Sequence, residues 1–183
     1  MSDEASGRNT LWAPWRIGFI LGSKEESVGT PTPDYAFLPG AAHDCFLCQA
    51  VADRAPGAAA WRYVPGSTTH TITILNRYPY NNGHLLIAPQ RHVADLSDLK
   101  DTERLELMQE LTRWKERLDE VLRPDGFNIG INLGHVAGAG LPGHLHIHIV
   151  PRWNGDTNFM AAIGGIRVIP QSLDALFEKL VRS

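Results

Sequence analysis

The stretch "GHLHIHIVPRW", residues 143–153, constrains the fold of this chain more than any other. His144, His146 and His148 occupy every second position, and Leu145, Ile147 and Ile149 fill the gaps. A strand sends alternate side chains to opposite faces, so this period puts the imidazoles on one face and the aliphatic groups on the other. A helix would scatter the three histidines around its axis. β-branched Ile147, Ile149 and Val150 favour the strand, and Gly143 and Pro151 punctuate its ends. The expectation is a strand with its apolar face on a core and its histidines on a polar surface.

The rest of the chain supplies partners for that strand. "HTITILN" (70–76) alternates and is β-branched, "RYPYNNG" (77–83) reads as a turn, and "HLLIAP" (84–89) as a second strand, which makes a hairpin. Residues 95–122 read as the longest helix, with Leu105, Met108, Leu111, Leu118 and Leu122 at helical spacing and Trp114 in core or interface packing. Asp95, Ser97 and Asp98 offer N-caps, and Pro124 and Gly126 stop it. "FNIGINLG" (127–134) reads as a strand and "HVAGAGLPG" (135–143) as a glycine-rich turn. A turn or two of helix follows Cys45-Phe46-Leu47-Cys48 up to Pro56. Trp61 and Tyr63 are placed to begin a strand, a short strand is expected near the end of "DTNFMAAIGGIRVIP", and residues 171–181 form a short amphipathic helix. Residues 1–10 read as disordered, 11–20 ("LWAPWRIGFI") as an apolar segment docked on the body or on a partner subunit, and 22–44 as loop. Strands outnumber helices and hairpins dominate, so the class is α+β with an antiparallel sheet.

Composition narrows the function. The chain has 183 residues, a length for one domain with appended ends, and 43% of them are hydrophobic, enough for a sizeable core. Net charge is −3, from 17 basic and 20 acidic residues, which gives no overall basic footprint for duplex nucleic acid. "MSDEASGRNT" is no secretory n-region, and no run of about 18 apolar residues appears, so a cytoplasmic protein with no membrane partner is expected. In a reducing compartment, the CxxC spacing of Cys45 and Cys48 favours a metal or redox role over a structural disulfide.

Three readings compete for the histidines. They are surface or satisfied core residues; or two of them, two apart on a strand, chelate a metal; or one is a nucleophile. A neutral imidazole attacks phosphorus to give a phosphoramidate, which water or another acceptor then breaks. Its neighbours orient it, donate to phosphate oxygens or assist the leaving group. The preceding turn favours the third reading. Gly138, Gly140 and Gly143 let backbone N–H groups approach an anion closely. The turn is no Walker loop, because no GK[ST] follows and a strand comes next.

"HLHIHIVPR" resembles the histidine triad motif. "LNRYPYNNGHLLIAPQRHVADLSDL" (75–99) and "GFNIGINLGHVAGAG" resemble the first half of the same fold and the strand and loop before the triad. "LWAPWR" and "PRWNGDTNFM" resemble the branch that contains Fhit-like hydrolases and bacterial diadenosine tetraphosphate phosphorylases. The resemblance implies a histidine triad (HIT) domain over 43–153, an N-terminal extension over 1–42 and a C-terminal segment over 154–183. It also implies a sheet of about five strands with a long helix and a C-terminal helix, paired into a continuous sheet in a homodimer. The implied chemistry is nucleotidyl transfer from a dinucleoside polyphosphate, adenine-containing, to inorganic phosphate or water. His146 is the implied nucleophile, His148 faces the scissile phosphate and bridging oxygen, and His144 completes the triad. Asn76 is implied to bind the ribose hydroxyls, Asn132 lies beside the phosphates, and His84 orients the triad. Gly138, Gly140 and Gly143 complete the nucleotide site. Fhit-like relatives carry a glutamine in the loop before the triad that helps place water; "GAGLPG" has none, which suits a different acceptor such as phosphate.

Several relatives of this kind bind zinc through two thiols and two imidazoles, and Cys45, Cys48, His92 and His144 supply that set here, with His43 as a spare. The resemblance therefore implies a structural zinc that pins the N-terminal loop to the sheet, and no organic cofactor. A Hint-like nucleoside phosphoramidase, with the same nucleophile and a nitrogen leaving group, is the alternative enzyme. A nucleotide-binding signalling protein without catalysis is the alternative outside enzymes.

Overall fold

A computed structural model describes residues 32–157 and 169–182. The segments expected at 1–10, at 11–20 and in a strand near 165 lie outside them. Backbone contacts divide the chain into one unit of 31–153 with 169–183 and another of 1–30 with 154–168; every element below belongs to the first. No helix among the described residues is long and apolar enough to cross a membrane.

Five strands form one antiparallel sheet: β1 (Gly66–Ser67), β2 (Thr71–Leu75), β3 (Leu85–Pro89), β4 (Gly126–Ile131) and β5 (Ile147–Arg152), in the order β1-β2-β3-β5-β4. Among the described residues the α-helices are α1 (Phe46–Ala52), α2 (Ala58–Trp61), α3 (Asp101–Leu122) and α4 (Leu173–Val181). The expected hairpin is β2–β3, with Ile72 opposite Ala88 and Ile74 opposite Leu86. Its turn closes on Gly83, whose φ is +81°; a Cβ there would come within 2.8 Å of Pro151 and 2.6 Å of Leu122. Only glycine meets both the left-handed backbone and the close approach.

Each face of the sheet carries a core. Leu85, Ile87, Leu145, Ile147 and Ile149 pack against Leu107, Leu111, Trp114 and Leu118 of α3 and Leu176 and Leu180 of α4. On the other face, Ile72, Ile74, Leu86 and Ala88 pack with Cys45, Leu47, Cys48 and Val51 around α1. This second core corrects the expectation of a polar histidine surface. His144 is 0% and His146 6% exposed. Alternation tells which residues share a face; it does not tell what covers that face.

The structure corrects four further expectations. The helix expected over 95–122 begins at Asp101. Leu96–Asp98 is a separate turn of 3₁₀ helix capped by the Asp95 carboxylate. Buried Leu99 takes an extended conformation between the two, and the Glu103 carboxylate accepts the Lys100 N–H at 2.7 Å to start the long helix. The buried stripe of α3 is 107, 111, 114 and 118, whereas Leu105 and Met108 are exposed on another face. Trp61 ends a helical turn instead of starting a strand. Finally, β5 starts at Ile147, so only His148 of the three histidines lies in paired strand, and Pro151 lies inside it. The Pro151 carbonyl accepts from Asn81 Nδ2, so its ring nitrogen points away from β4, where β3 has already ended and no donor is needed.

Candidate active site

Hydrogen bonds fix the tautomer of each histidine along the stripe. His146 Nδ1 lies 2.8 Å from the His144 carbonyl, which only accepts, so Nδ1 carries the proton and the lone pair is on Nε2. Nε2 makes no hydrogen bond among the described residues.

The proton positions at His148 follow from a chain of three residues. The Tyr80 backbone N–H donates to His84 Nδ1 at 3.1 Å. An N–H only donates, so His84 carries its proton on Nε2 and gives it to His148 Nδ1 at 2.9 Å. His148 is thus left with an N–H at Nε2, which is buried and without a partner among the described residues. Burial, followed by the charge on His146, pushes His148 down to about 4, so it is a neutral donor at physiological pH. Asn76 braces the same chain: its Oδ1 accepts the Tyr78 N–H at 2.9 Å, and its Nδ2 lies 3.2 Å from His84 Nδ1. Among the described residues, one lone pair and one amide N–H of Asn76 have no partner.

His144 faces the other way. Its Nε2 donates to the Pro89 carbonyl at 2.8 Å, so its Nδ1 lone pair faces inward. That nitrogen lies 3.3 Å from Cys45 Sγ, 3.6 Å from Cys48 Sγ and 3.3 Å from His92 Nδ1; Cys48 Sγ lies 3.3 Å from His92 Nδ1. All four ligand atoms fall within 4.8 Å of one another. A tetrahedron with zinc–sulfur bonds of ~2.3 Å and zinc–nitrogen bonds of ~2.0–2.1 Å has N···N edges of ~3.3 Å and N···S edges of ~3.5 Å. The donor set and its spacing therefore fit zinc. Without a cation, burial drives both kinds of ligand toward neutrality: Cys48 up to about 11 and His144 down to about 4.

The structure thus brings together His84, His146, His148 and Asn76 at one end of the stripe and Cys45, Cys48, His92 and His144 at the other. His43 stands apart from that cluster, stacked on Phe37 at 4.1 Å. Asn132 follows Ile131, the β4 partner of Ile147, so the register carried one step further sets it level with His146. Gly138 has φ +83° and, like Gly140, open space where a Cβ would stand, while Gly143 lies against the His92 ring. Sequence reasoning missed Tyr80, whose ring stacks 5.7 Å from His148 and 4.7 Å from His84. It also missed the clamp beside His92. There Arg91 reaches both oxygens of buried Glu103, at 3.0 and 2.8 Å, and its hydrogen bond holds that carboxyl below the usual range. Nothing in the local sequence pairs these two residues, which stand twelve positions apart.

A family model described as the HIT domain matches residues 64–155. The chain belongs to the HIT family. Among curated HIT relatives, the AP-4-A phosphorylase of Mycobacterium tuberculosis (strain H37Rv) is 53% identical over 167 residues, covering 89% of this chain and 77% of that protein. The asymmetrical bis(5'-nucleosyl)-tetraphosphatase of Schizosaccharomyces pombe is 35% identical over 89 residues, 49% of this chain and 48% of that one. Among solved HIT structures, a zinc-bound family member from Mycobacterium smegmatis aligns with a TM-score of 0.55 at 29% identity, covering 66% of this chain and 81% of that one.

Proposed function

We propose that this HIT protein cleaves dinucleoside polyphosphates such as diadenosine tetraphosphate through a covalent nucleotidyl-His146 intermediate and passes the nucleotidyl group to inorganic phosphate. The observation that carries this reading is the pairing of a bare His146 Nε2 with an unpartnered His148 Nε2–H on the same face. The identity to a relative named AP-4-A phosphorylase supports the substrate class.

The steps balance as follows. The His146 Nε2 lone pair attacks the phosphorus nearest one nucleoside, and a P–N bond forms as the bond to the bridging oxygen breaks. The departing polyphosphate keeps that electron pair and accepts a hydrogen bond from His148 Nε2–H, which keeps its proton while charge grows on the leaving oxygen. A phosphate oxygen next attacks the same phosphorus, and the P–N bond breaks with its electrons returning to His146. With diadenosine tetraphosphate the products are ATP and then ADP. The Asn76 amide meets the ribose, Asn132 the phosphate chain, and the loop of Gly138, Gly140 and Gly143 the phosphate oxygens. The missing glutamine in that loop fits phosphate, not water, as acceptor.

Zinc held by Cys45, Cys48, His92 and His144 would fix the residue whose carbonyl orients His146, and would supply no step of the reaction. Reduced thiols in that role fit a cytoplasmic location. The exposed edge of β4, with Ile129 49% exposed, together with exposed Leu105 and Met108 on α3, fits a second copy of this chain pairing edge to edge. Sedimentation should give twice the chain mass of 20.2 kDa, and a monomer at micromolar concentration would remove the dimer.

The deciding experiment is incubation with diadenosine tetraphosphate, with and without phosphate, and chromatography of the products. ADP plus ATP only in the presence of phosphate is expected. AMP plus ATP without phosphate would overturn the acceptor, and no cleavage in either tube would overturn the substrate class and turn attention to phosphoramidates.

A further inference from the structure

We propose that the Tyr80 side chain is a positioning residue for His148: its ring, laid against both imidazoles of the relay, keeps His148 Nε2–H aimed at the leaving oxygen. The inference rests on the reading above, in which His146 attacks and His148 serves the departing phosphate.

Tyr80 touches the relay twice. Its N–H sets the His84 tautomer from the backbone. Its ring lies 5.7 Å from the His148 ring at 18° and 4.7 Å from the His84 ring at 35°, while the two imidazoles are 5.1 Å apart at 41°. Tyr80 stacks on His148 and lies tilted against His84, and the two imidazoles meet edge to edge through their hydrogen bond. A single N–H···N bond joins the imidazoles, and rotation of either ring about its side-chain torsions breaks it. A rigid aromatic plane against both rings removes those alternatives and keeps water from competing for His148 Nδ1.

The position of Tyr80 argues against a packing role. The side chain is 46% exposed and belongs to neither core cluster. It stands in the β2–β3 turn with its ring against His84 and His148. Truncating it opens no cavity in the aliphatic core, so a selective kinetic effect is separable from loss of fold.

The test uses two substrates whose leaving groups differ in basicity. The phenyl ester of AMP expels phenolate, a strong base that gains much from the hydrogen bond His148 donates. The p-nitrophenyl ester of AMP expels nitrophenolate, a far weaker base that gains little. Tyr80→Ala is expected to lower kcat on the phenyl ester about tenfold with KM within about twofold, a fraction of what a positioned donor supplies. On the nitrophenyl ester it should lose less than about twofold. Tyr80→Phe should restore both, and Tyr80→Leu, which keeps bulk without the aromatic plane, should behave like Tyr80→Ala if the latter folds poorly. Nitrogen-15 spectra should assign His148 to the Nε2–H tautomer in the wild type and Tyr80→Phe, and to a mixture in Tyr80→Leu. Equal losses on both substrates, no loss on either, or an unchanged tautomer in Tyr80→Leu would overturn the role. Wild-type inactivity on both substrates would sink the reading of the site instead, and the tautomer measurement would still judge Tyr80.

Discussion

His144 and His148 are the same residue type on the same face, four positions apart, yet their surroundings make different tools of them. Both are pushed down to about 4, chiefly by burial. They differ in where the proton goes. The Pro89 carbonyl takes the Nε2–H of His144 and turns its lone pair toward two thiols and His92. His84 donates to Nδ1 of His148 and leaves the latter's buried Nε2–H without a partner among the described residues. One end of the stripe presents a lone pair to two thiols and His92, and in the proposed function the other presents its N–H to the departing oxygen. His146 sits between them and leans on both, through the His144 carbonyl and the His148 ring, 4.9 Å away. The lesson is that a histidine's second nitrogen, held by its neighbours, decides what the first one does.

The largest expected effect breaks the middle of that arrangement. His146→Asn should lower turnover by about a thousandfold or more while nucleotide binding persists, since an amide does not form the covalent intermediate. Rapid-quench measurement with labelled substrate checks this, and unchanged turnover would remove His146 as nucleophile.

A second change separates the two ends. Protein purified without chelator should carry about one zinc per chain, and Cys48→Ser should carry under ~0.2. The unfolding temperature should fall in the same variant, because the cluster ties α1 to the sheet. Turnover should fall far less than in His146→Asn, because no chemical step passes through the thiols. Elemental analysis that finds under ~0.2 zinc in the wild type would reduce the cluster to hydrogen-bonded thiols and imidazoles.

The smallest effect concerns what the two ends share. An unfolded chain takes up protons on both histidines near pH 6.5, whereas burial in the folded, metal-free protein lowers both to about 4. Acid therefore favours the unfolded state through both groups, and stability from this source is complete above about pH 6.5 and declines toward pH 4. Urea midpoints of chelator-treated protein measured from pH 7.5 down to 4.5 should fall steadily below 6.5. A flat profile would mean that neither site is held neutral by burial.

The sequence by itself determined the alternation, and with it the face on which the histidines lie. It also determined the hairpin, which alternating β-branched residues and "NNG" specify locally. The four candidate metal ligands were legible as residue types and, through the family resemblance, as a set. The extent of the long helix was not legible, because Leu99 leaves the helical path to reach a core that no local pattern encodes. The burial of His144 was equally hidden: its ring lies against Cys45 and Cys48, about a hundred residues upstream. Tyr80 looked like an ordinary turn residue until the turn folded over β5 and set its ring on two imidazoles. Local sequence fixes backbone period and side-chain chemistry, because both depend on near neighbours. Proton positions, burial and ligand spacing depend on groups distant in the chain, so only the tertiary structure decided them.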